Sequence, residues 1–272
     1  MKFSQIVSIL LFLPGCGQSL DGFLFNPQAL DSYEPSLVIP PELQEMVTFQ
    51  SDNFNLAGFY ISNPAGSHQD TTILYSHGNA RNIPVYWDRV ELMWNMGYTV
   101  FVYDYRGYGL SEGTPTEEGL YADVQAAYEY VLSREETDPD RIIAYGFSLG
   151  TIATVDLAWR GFPLAGIITE SGFASGRKFV QDSSRLNVGG GWLMDGTWDS
   201  ETKIREVEIP KLLMHGTMDD FVNVTHLDVL AAAAADPKVV WYVEGANHSD
   251  VPWIGGLEYV NRVDTFIESV MP

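Results

Sequence analysis

Ser148 stands in the stretch Gly146-Phe147-Ser148-Leu149-Gly150, directly after the apolar run Ile142 to Tyr145 and directly before a helical pattern. A serine hydroxyl is a poor nucleophile at its ordinary pKa, so it does chemistry only where a turn exposes it and a base takes its proton. Between a strand and a helix this stretch has the form of a nucleophile elbow, with the serine at the tip of a strained turn. The residues two before and two after it must then be small, so that strand and helix can pass closely; Gly146 and Gly150 fill both places. A hydroxyl held there, with N–H groups of the following helix beside it, is arranged for attack on a carbonyl and for binding the oxyanion that forms.

That chemistry calls for a general base and for a carboxylate that orients it. Around an elbow of this kind the partners follow in chain order, acid and then histidine. His215-Gly216-Thr217-Met218-Asp219 closes one predicted strand, and Gly245-Ala246-Asn247-His248 follows another. Both loops fall at the carboxyl ends of strands, the edge on which Ser148 also sits. Asp219 and His248 are therefore the candidate acid and base. Asp220 is the competing acid, or a cap for the helix that follows; the spacing after His215-Gly216 favours Asp219. Two backbone donors are expected for the oxyanion, the Leu149 N–H after the serine and the Asn79 N–H in the loop His77-Gly78-Asn79-Ala80. His77 and His215 are expected to bond across strand ends, His226 to lie exposed on a helix, Asp104 to pair with Arg106, and Asp250 to cap a helix or face solvent. No H-E-x-x-H or Cys/His spacing calls for a metal, and no cofactor is expected.

The elements that must carry these residues alternate between strand-like and helix-like from about Met46, the pattern of a mostly parallel sheet with helices on both faces. Eight strands are predicted, at Met46–Gln50, Leu56–Ile61, Thr71–Ser76, Tyr98–Tyr103, Arg141–Gly146, Leu164–Thr169, Lys211–Met214 and Val239–Val243. Helices are predicted over Ile83–Met96, Glu117–Leu132, Leu149–Trp159, Val224–Ala235 and Ile254–Val270. In the second of these, Leu120, Tyr121, Val124, Ala127, Tyr128 and Val131 recur at helical steps. The segment of about 172–208 is irregular and aromatic, with Phe173, Phe179, Trp192 and Trp198, and reads as a short lid whose rings line an acyl pocket or seal the lid onto the sheet.

Composition sets the outer bounds. With 272 residues, 46% of them hydrophobic, and neither an internal repeat nor a linker, a single domain over 42–272 is expected, as a monomer. A net charge of −21 without a Lys/Arg cluster argues against a nucleic-acid partner and reads as a solvated acidic coat. Lys2 and the apolar run Ile6 to Leu13 have the layout of a secretory signal over 1–15, too short to span a bilayer. Leu13-Pro14-Gly15-Cys16 resembles the lipobox of a bacterial lipoprotein, with Pro14 as the departure from that pattern. Cys16 is the single cysteine, so an internal disulfide is excluded and a lipid attachment at Cys16 is expected, followed by a proline-bearing tether over 16–41. The expectation is an exported protein anchored to a bacterial membrane on its periplasmic or outer side.

Taken in order, the oxyanion loop, the elbow, the acid loop and the histidine loop resemble those of the α/β-hydrolase superfamily. The run Tyr103-Asp104-Tyr105-Arg106-Gly107-Tyr108-Gly109-Leu110-Ser111 with the short insertion is similar to the small-lid serine hydrolases, which include lysophospholipases, acylprotein depalmitoylases and S33-type aminopeptidase relatives. The resemblance covers about 47–270 and implies catalytic roles for Ser148, Asp219 and His248 and oxyanion roles for Asn79 and Leu149. Thr151 stands where that pattern often has a second glycine, and Asn223 where it often has proline. The implied activity is hydrolysis of an ester or thioester in a small-molecule or lipid acyl substrate. A peptidase and a non-catalytic binding protein on the same fold are the alternatives.

Overall fold

Residues 25–182 and 198–272 are described by the structure, a computed structural model. The expected signal segment 1–15, Cys16 and the middle of the expected lid, Trp192 included, lie outside the described residues. Polar and apolar residues alternate in Gln44–Ser51 (β1), which turns Val47, Phe49 and Ser51 inward and Thr48 and Gln50 outward. It pairs antiparallel with Phe54–Ile61 (β2) across a tight turn in which Asp52 takes φ +52°. Of the remaining strands, the central ones are buried along most of their length, as strands covered on both faces must be, and the edge strand Lys238–Val243 is half-exposed. In chain order the remaining strands are His68–Ser76 (β3), Tyr98–Tyr103 (β4), Ile142–Phe147 (β5), Gly166–Glu170 (β6), Lys211–Gly216 (β7) and Lys238–Val243 (β8). The eight form one sheet in the order β1-β2-β4-β3-β5-β6-β7-β8, antiparallel at β1-β2 and β2-β4 and parallel elsewhere.

Alternate side chains of each strand feed two cores. Leu74 and Phe101 enter the one capped by Glu117–Leu132 (α2) and Gly150–Trp159 (α3), with Leu120, Val124 and Ile152. Ile73 and Val100 enter the one capped by Trp87–Asn95 (α1) and Val251–Val270 (α7), with Val90, Met93, Val263 and Phe266. Gly176–Asp182 (α4), Ser200–Ile204 (α5) and Thr225–Ala233 (α6) complete the described helices.

Several boundaries differ from the sequence reading for local reasons. Pro84 lacks an N–H and restrains its neighbour, so Ile83–Tyr86 forms a 3-10 turn and the α-helix starts only at Trp87. The last helix begins at Val251, three residues early, and bends at Gly256, where φ is +52°. The expected lid contains two short helices within its described parts. A tether over 16–41 is corrected from Phe25 onward: Phe25, Tyr33 and Ile39 are buried against the domain, and residues 26–27 pair in parallel with Ala80–Arg81. The large side chains, spaced without period, dock one at a time instead of forming an element.

Candidate active site

The elbow is built by contact. Ser148 ends β5 with φ +50°, a strained region for a residue with a side chain. A Cβ at Gly150 would stand 2.5 Å from the carbonyl carbon of Ser76 in β3, and one at Gly146 would stand 2.6 Å from Thr151 Cα. Only glycine lets the strand and helix come this close. Ser148 N–H donates to Glu170 O in β6 at 2.9 Å, which ties the elbow to the next strand. Thr151, in the place of the second glycine, turns its hydroxyl back to donate to Ser148 O at 2.7 Å.

Ser148, His248 and Asp219, 100 and 29 residues apart along the chain, are brought together above the sheet edge. His248 Nδ1 lies 2.8 Å from Asp219 Oδ2 and His248 Nε2 lies 3.0 Å from Ser148 Oγ. An ionised carboxylate only accepts, so the proton belongs on Nδ1, and Nε2 is left as an acceptor for the serine hydroxyl. Burial would raise the Asp219 pKa, but hydrogen bonds from His215 and His248 outweigh it and hold the carboxyl well below the usual range. The other oxygen, Oδ1, accepts from the N–H groups of Phe221 and Val222 at 2.9 and 2.7 Å. His215 Nε2 lies 2.8 Å from Val222 O and 3.0 Å from Asp219 Oδ2, so its proton is shared between two acceptors in the same loop. Asp220 faces the cavity instead of the histidine. Asn223 Oδ1 accepts from Thr225 N–H at 3.0 Å, closing the turn into α6 where proline was the expected residue.

Leu149 follows Ser148 in the chain, and Asn79 lines the same cavity as Ser148. Leu149 opens α3, whose first helical closure is Thr151 N–H to Ser148 O at 3.0 Å, so the Leu149 N–H precedes the hydrogen-bonded helix. Asn79 follows β3, and its Oδ1 accepts from Tyr108 Oη at 2.7 Å and Asn26 N–H at 2.8 Å. Beneath this loop His77 is fully buried, with Nδ1 donating to Gly78 O at 2.7 Å and Nε2 lying 2.9 Å from Asp104 Oδ1. The expected Asp104–Arg106 pair does not form. Asp104 accepts from Tyr33 Oη at 2.5 Å and Ile83 N–H at 3.0 Å, whereas Arg106 donates to Asp123 in α2 and to Asp52. The turn after β4 sends the two side chains to different neighbours.

A buried charge pair escaped the sequence reading. Arg89 of α1 donates through Nη2 to Glu170 Oε1 at 2.6 Å and to Ser249 O at 3.1 Å, with Phe147 stacked 4.0 Å from its guanidinium carbon. Burial alone would lower the Arg89 pKa; the Glu170 carboxylate outweighs it and keeps the guanidinium charged. Ser171 Oγ donates to His248 O at 3.0 Å. The end of β6 thus holds the elbow through Glu170 O and the histidine loop through Ser171 and Arg89. Asp250 does not cap α7 with its side chain; its Oδ1 accepts from Asn247 N–H and braces the same loop. His226 is fully buried, not exposed: its Nδ1 accepts from Ala174 N–H at 2.9 Å, and burial lowers its pKa to about 4.

These residues border a cavity of about 730 Å³, a size suited to a small organic ligand. Val85, Tyr86, Phe147 and Phe221 give it apolar walls, while Asp88, Asp220 and Asp250 give it carboxylates. Among the described residues no three of His, Cys, Asp or Glu converge as ligands for a metal ion.

The same order of strands and loops recurs in known proteins. The signature of the family described as "Serine aminopeptidase, S33" matches residues 67–192. "Uncharacterized protein YfhR" of Escherichia coli K12 is 32% identical over 216 residues, spanning 77% of this chain and 75% of that protein. The chain belongs to the α/β-hydrolase superfamily. Within the superfamily it is also 36% identical over 204 residues to "Alpha/beta hydrolase domain-containing protein 17C" of Xenopus tropicalis, spanning 74% of this chain and 63% of that one. Among solved structures, an esterase of Pyrococcus furiosus superposes with a TM-score of 0.70 at 18% identity over 92% of this chain and 99% of that one. Acetyl xylan esterase 1 from Thermoanaerobacterium sp. superposes with a TM-score of 0.63 at 15% identity over 86% of each. At these identities the structural likenesses establish the eight-stranded hydrolase fold.

Proposed function

We propose that this hydrolase cleaves carboxylic ester or thioester bonds through Ser148, His248 and Asp219. The observation that carries the reading is the pair of hydrogen bonds in series, Asp219 to His248 to Ser148, at 2.8 and 3.0 Å on the edge of the cavity. Ser148 Oγ attacks the substrate carbonyl as its proton passes to His248 Nε2, and the ionised Asp219 stabilises the imidazolium. The N–H groups of Leu149 and Asn79 receive the oxyanion. Collapse expels the alcohol or thiol, which takes the proton from His248. Water then gives a proton to His248 and attacks the acyl-serine; release of the acid returns the proton to Ser148.

A lipid-derived acyl group suits the apolar walls Val85, Tyr86, Phe147 and Phe221. It also suits attachment at Cys16 of an exported, membrane-anchored chain, since Phe25 is nine positions after Cys16, a reach of at most ~32 Å. A peptidase is the second reading, favoured by the carboxylates of Asp88 and Asp250 around the cavity, which are suited to a substrate ammonium. The test is hydrolysis of p-nitrophenyl esters from acetate to palmitate, and of aminoacyl arylamides, by residues 18–272 and by the Ser148→Ala variant. Ester turnover lost in the variant supports the esterase; turnover confined to arylamides supports the peptidase. Equal rates for both proteins would remove Ser148 from the chemistry.

A further inference from the structure

The amino-terminal arm before the sheet reaches the cavity. Phe25 is buried against Tyr108 and Trp198, with ring centroids 6.4 and 5.2 Å away. From there the arm is stitched to the loop that follows β3. Gln28 N–H donates to Arg81 O at 3.1 Å, and Asn82 Nδ2 donates to Gln28 O at 3.0 Å. A second seam joins it to the turn after β4, through Gly109 N–H to Gln28 O at 3.0 Å and Leu30 N–H to Gly109 O at 2.8 Å. Asn26 is itself a wall of the cavity that Ser148 borders, and its N–H donates to Asn79 Oδ1 at 2.8 Å. The same Asn79 oxygen takes the Tyr108 hydroxyl at 2.7 Å. Asn79 is thereby held by donors from two directions, one supplied by a segment 53 residues earlier in the chain.

We propose that residues 25–30 are part of the catalytic apparatus: through the Asn26 N–H they position Asn79 and so set the geometry of the oxyanion loop. The inference rests on the serine-hydrolase reading of the cavity. Oxyanion donors act over a narrow range of distance, and loss of one costs about 10²- to 10³-fold in turnover. Loss of the Asn26 N–H leaves the Asn79 oxygen with the Tyr108 hydroxyl but without its tie to the arm, so the loop is held less exactly and a loss of about tenfold in kcat is expected, with KM nearly unchanged. Asn26 is a positioning residue here, because it acts through Asn79.

Asn26→Pro removes the N–H and keeps the chain length, whereas Asn26→Ala keeps the N–H and removes the side chain. In ester hydrolysis by the full chain, Asn26→Pro is expected to lose about tenfold in kcat while a fluorophosphonate probe still labels Ser148. Asn26→Ala, which keeps the N–H, is expected to lose at least about threefold less kcat than Asn26→Pro. The Asn26→Pro loss should vanish in an Asn79→Ala background, since coupled residues are non-additive. Equal loss in the two Asn26 variants, additive loss with Asn79→Ala, or parental kcat in Asn26→Pro each overturns the proposal. If Asn26→Pro does not fold, an amide-to-ester exchange at residue 26, which replaces only that N–H by oxygen, decides: a loss in kcat at constant KM supports the clamp, and parental kcat overturns it. A parent chain that is inactive and unlabelled would instead sink the hydrolase reading itself.

Discussion

Gly150→Ala is the sharpest perturbation of this site, because the added methyl group meets the wall facing the nucleophile. Its Cβ would lie 2.5 Å from Ser76 C and 2.8 Å from His77 O, in the last residues before the loop that carries Asn79. Carbon atoms settle at about 3.5 Å or more, so elbow and loop must part by about 1 Å. Catalytic groups tolerate about 0.5 Å, and a displacement of about 1 Å costs on the order of 10²-fold in rate. We therefore expect kcat for a p-nitrophenyl ester to fall about 10²-fold. The change in KM should be far smaller, because the cavity walls Val85 and Phe221 are not among the atoms the methyl group meets. Overpacking should also lower stability by about 1–3 kcal/mol, visible in thermal unfolding. Gly161→Ala is the control: its φ of +78° strains any side chain, but no atom lies within 4 Å of the new methyl group. It should cost stability and leave kcat alone. Activity in Gly150→Ala within about threefold of the parent would refute the elbow geometry argued above.

Three other outcomes are expected. Asp219→Asn should leave the fold in place and lower kcat by about 10⁴-fold at neutral pH in the same ester assay, since the amide favours the wrong histidine tautomer. Arg89→Met leaves Glu170 buried without its partner and should cost about 3–5 kcal/mol in denaturant unfolding, with part recovered by adding Glu170→Gln; a loss under about 1 kcal/mol would contradict the pairing. Lys211 is buried with Nζ donating to Ala235 O at 2.7 Å, and burial lowers its pKa to about 8. The unfolded value is near 10.4, so between these pH values the unfolded chain binds more protons and stability rises with pH. Relative to Lys211→Met, the parent should gain about 1 kcal/mol from pH 7 to pH 9 in urea unfolding; a flat difference would place the ammonium in water.

Periodicity and punctuation made much of the fold legible. Glu117–Leu132 was bounded correctly because its apolar steps are regular, and Thr116 accepts from Gly119 N–H at 2.9 Å as an N-cap. Tyr98–Tyr103 was bounded correctly because its apolar run ends at a charged residue. The misread residues share a cause, which is that long-range partners have no local signature. Arg106 finds Asp123 on α2, 17 residues away, instead of its near neighbour Asp104. Arg89 and Glu170, 81 residues apart, carry no local sign of their pairing. His226 carried an unused signal: it shares helical spacing with Leu227 and Leu230, and all three are buried. The loops of Ser148, Asp219 and His248 were legible because the serine, acid and histidine each follow an apolar strand in chain order. The arm was not, because Phe25, Tyr33 and Ile39 have no common period.

Strand order has a further meaning for how such a chain comes alive. Ser148 leaves β5 near the middle of the sheet, whereas His248 stands in the loop after β8, the far edge strand, 100 residues later. Parallel pairings of this span form slowly, because each closes a long loop before it gains a contact. A nascent or refolding molecule can therefore present its serine long before it has a base to use it. On the proposed mechanism, turnover requires β8 and α7 to be seated, and an intermediate that lacks them would be chemically silent however native it looks by circular dichroism. A chain cut anywhere before residue 248 inherits the same silence.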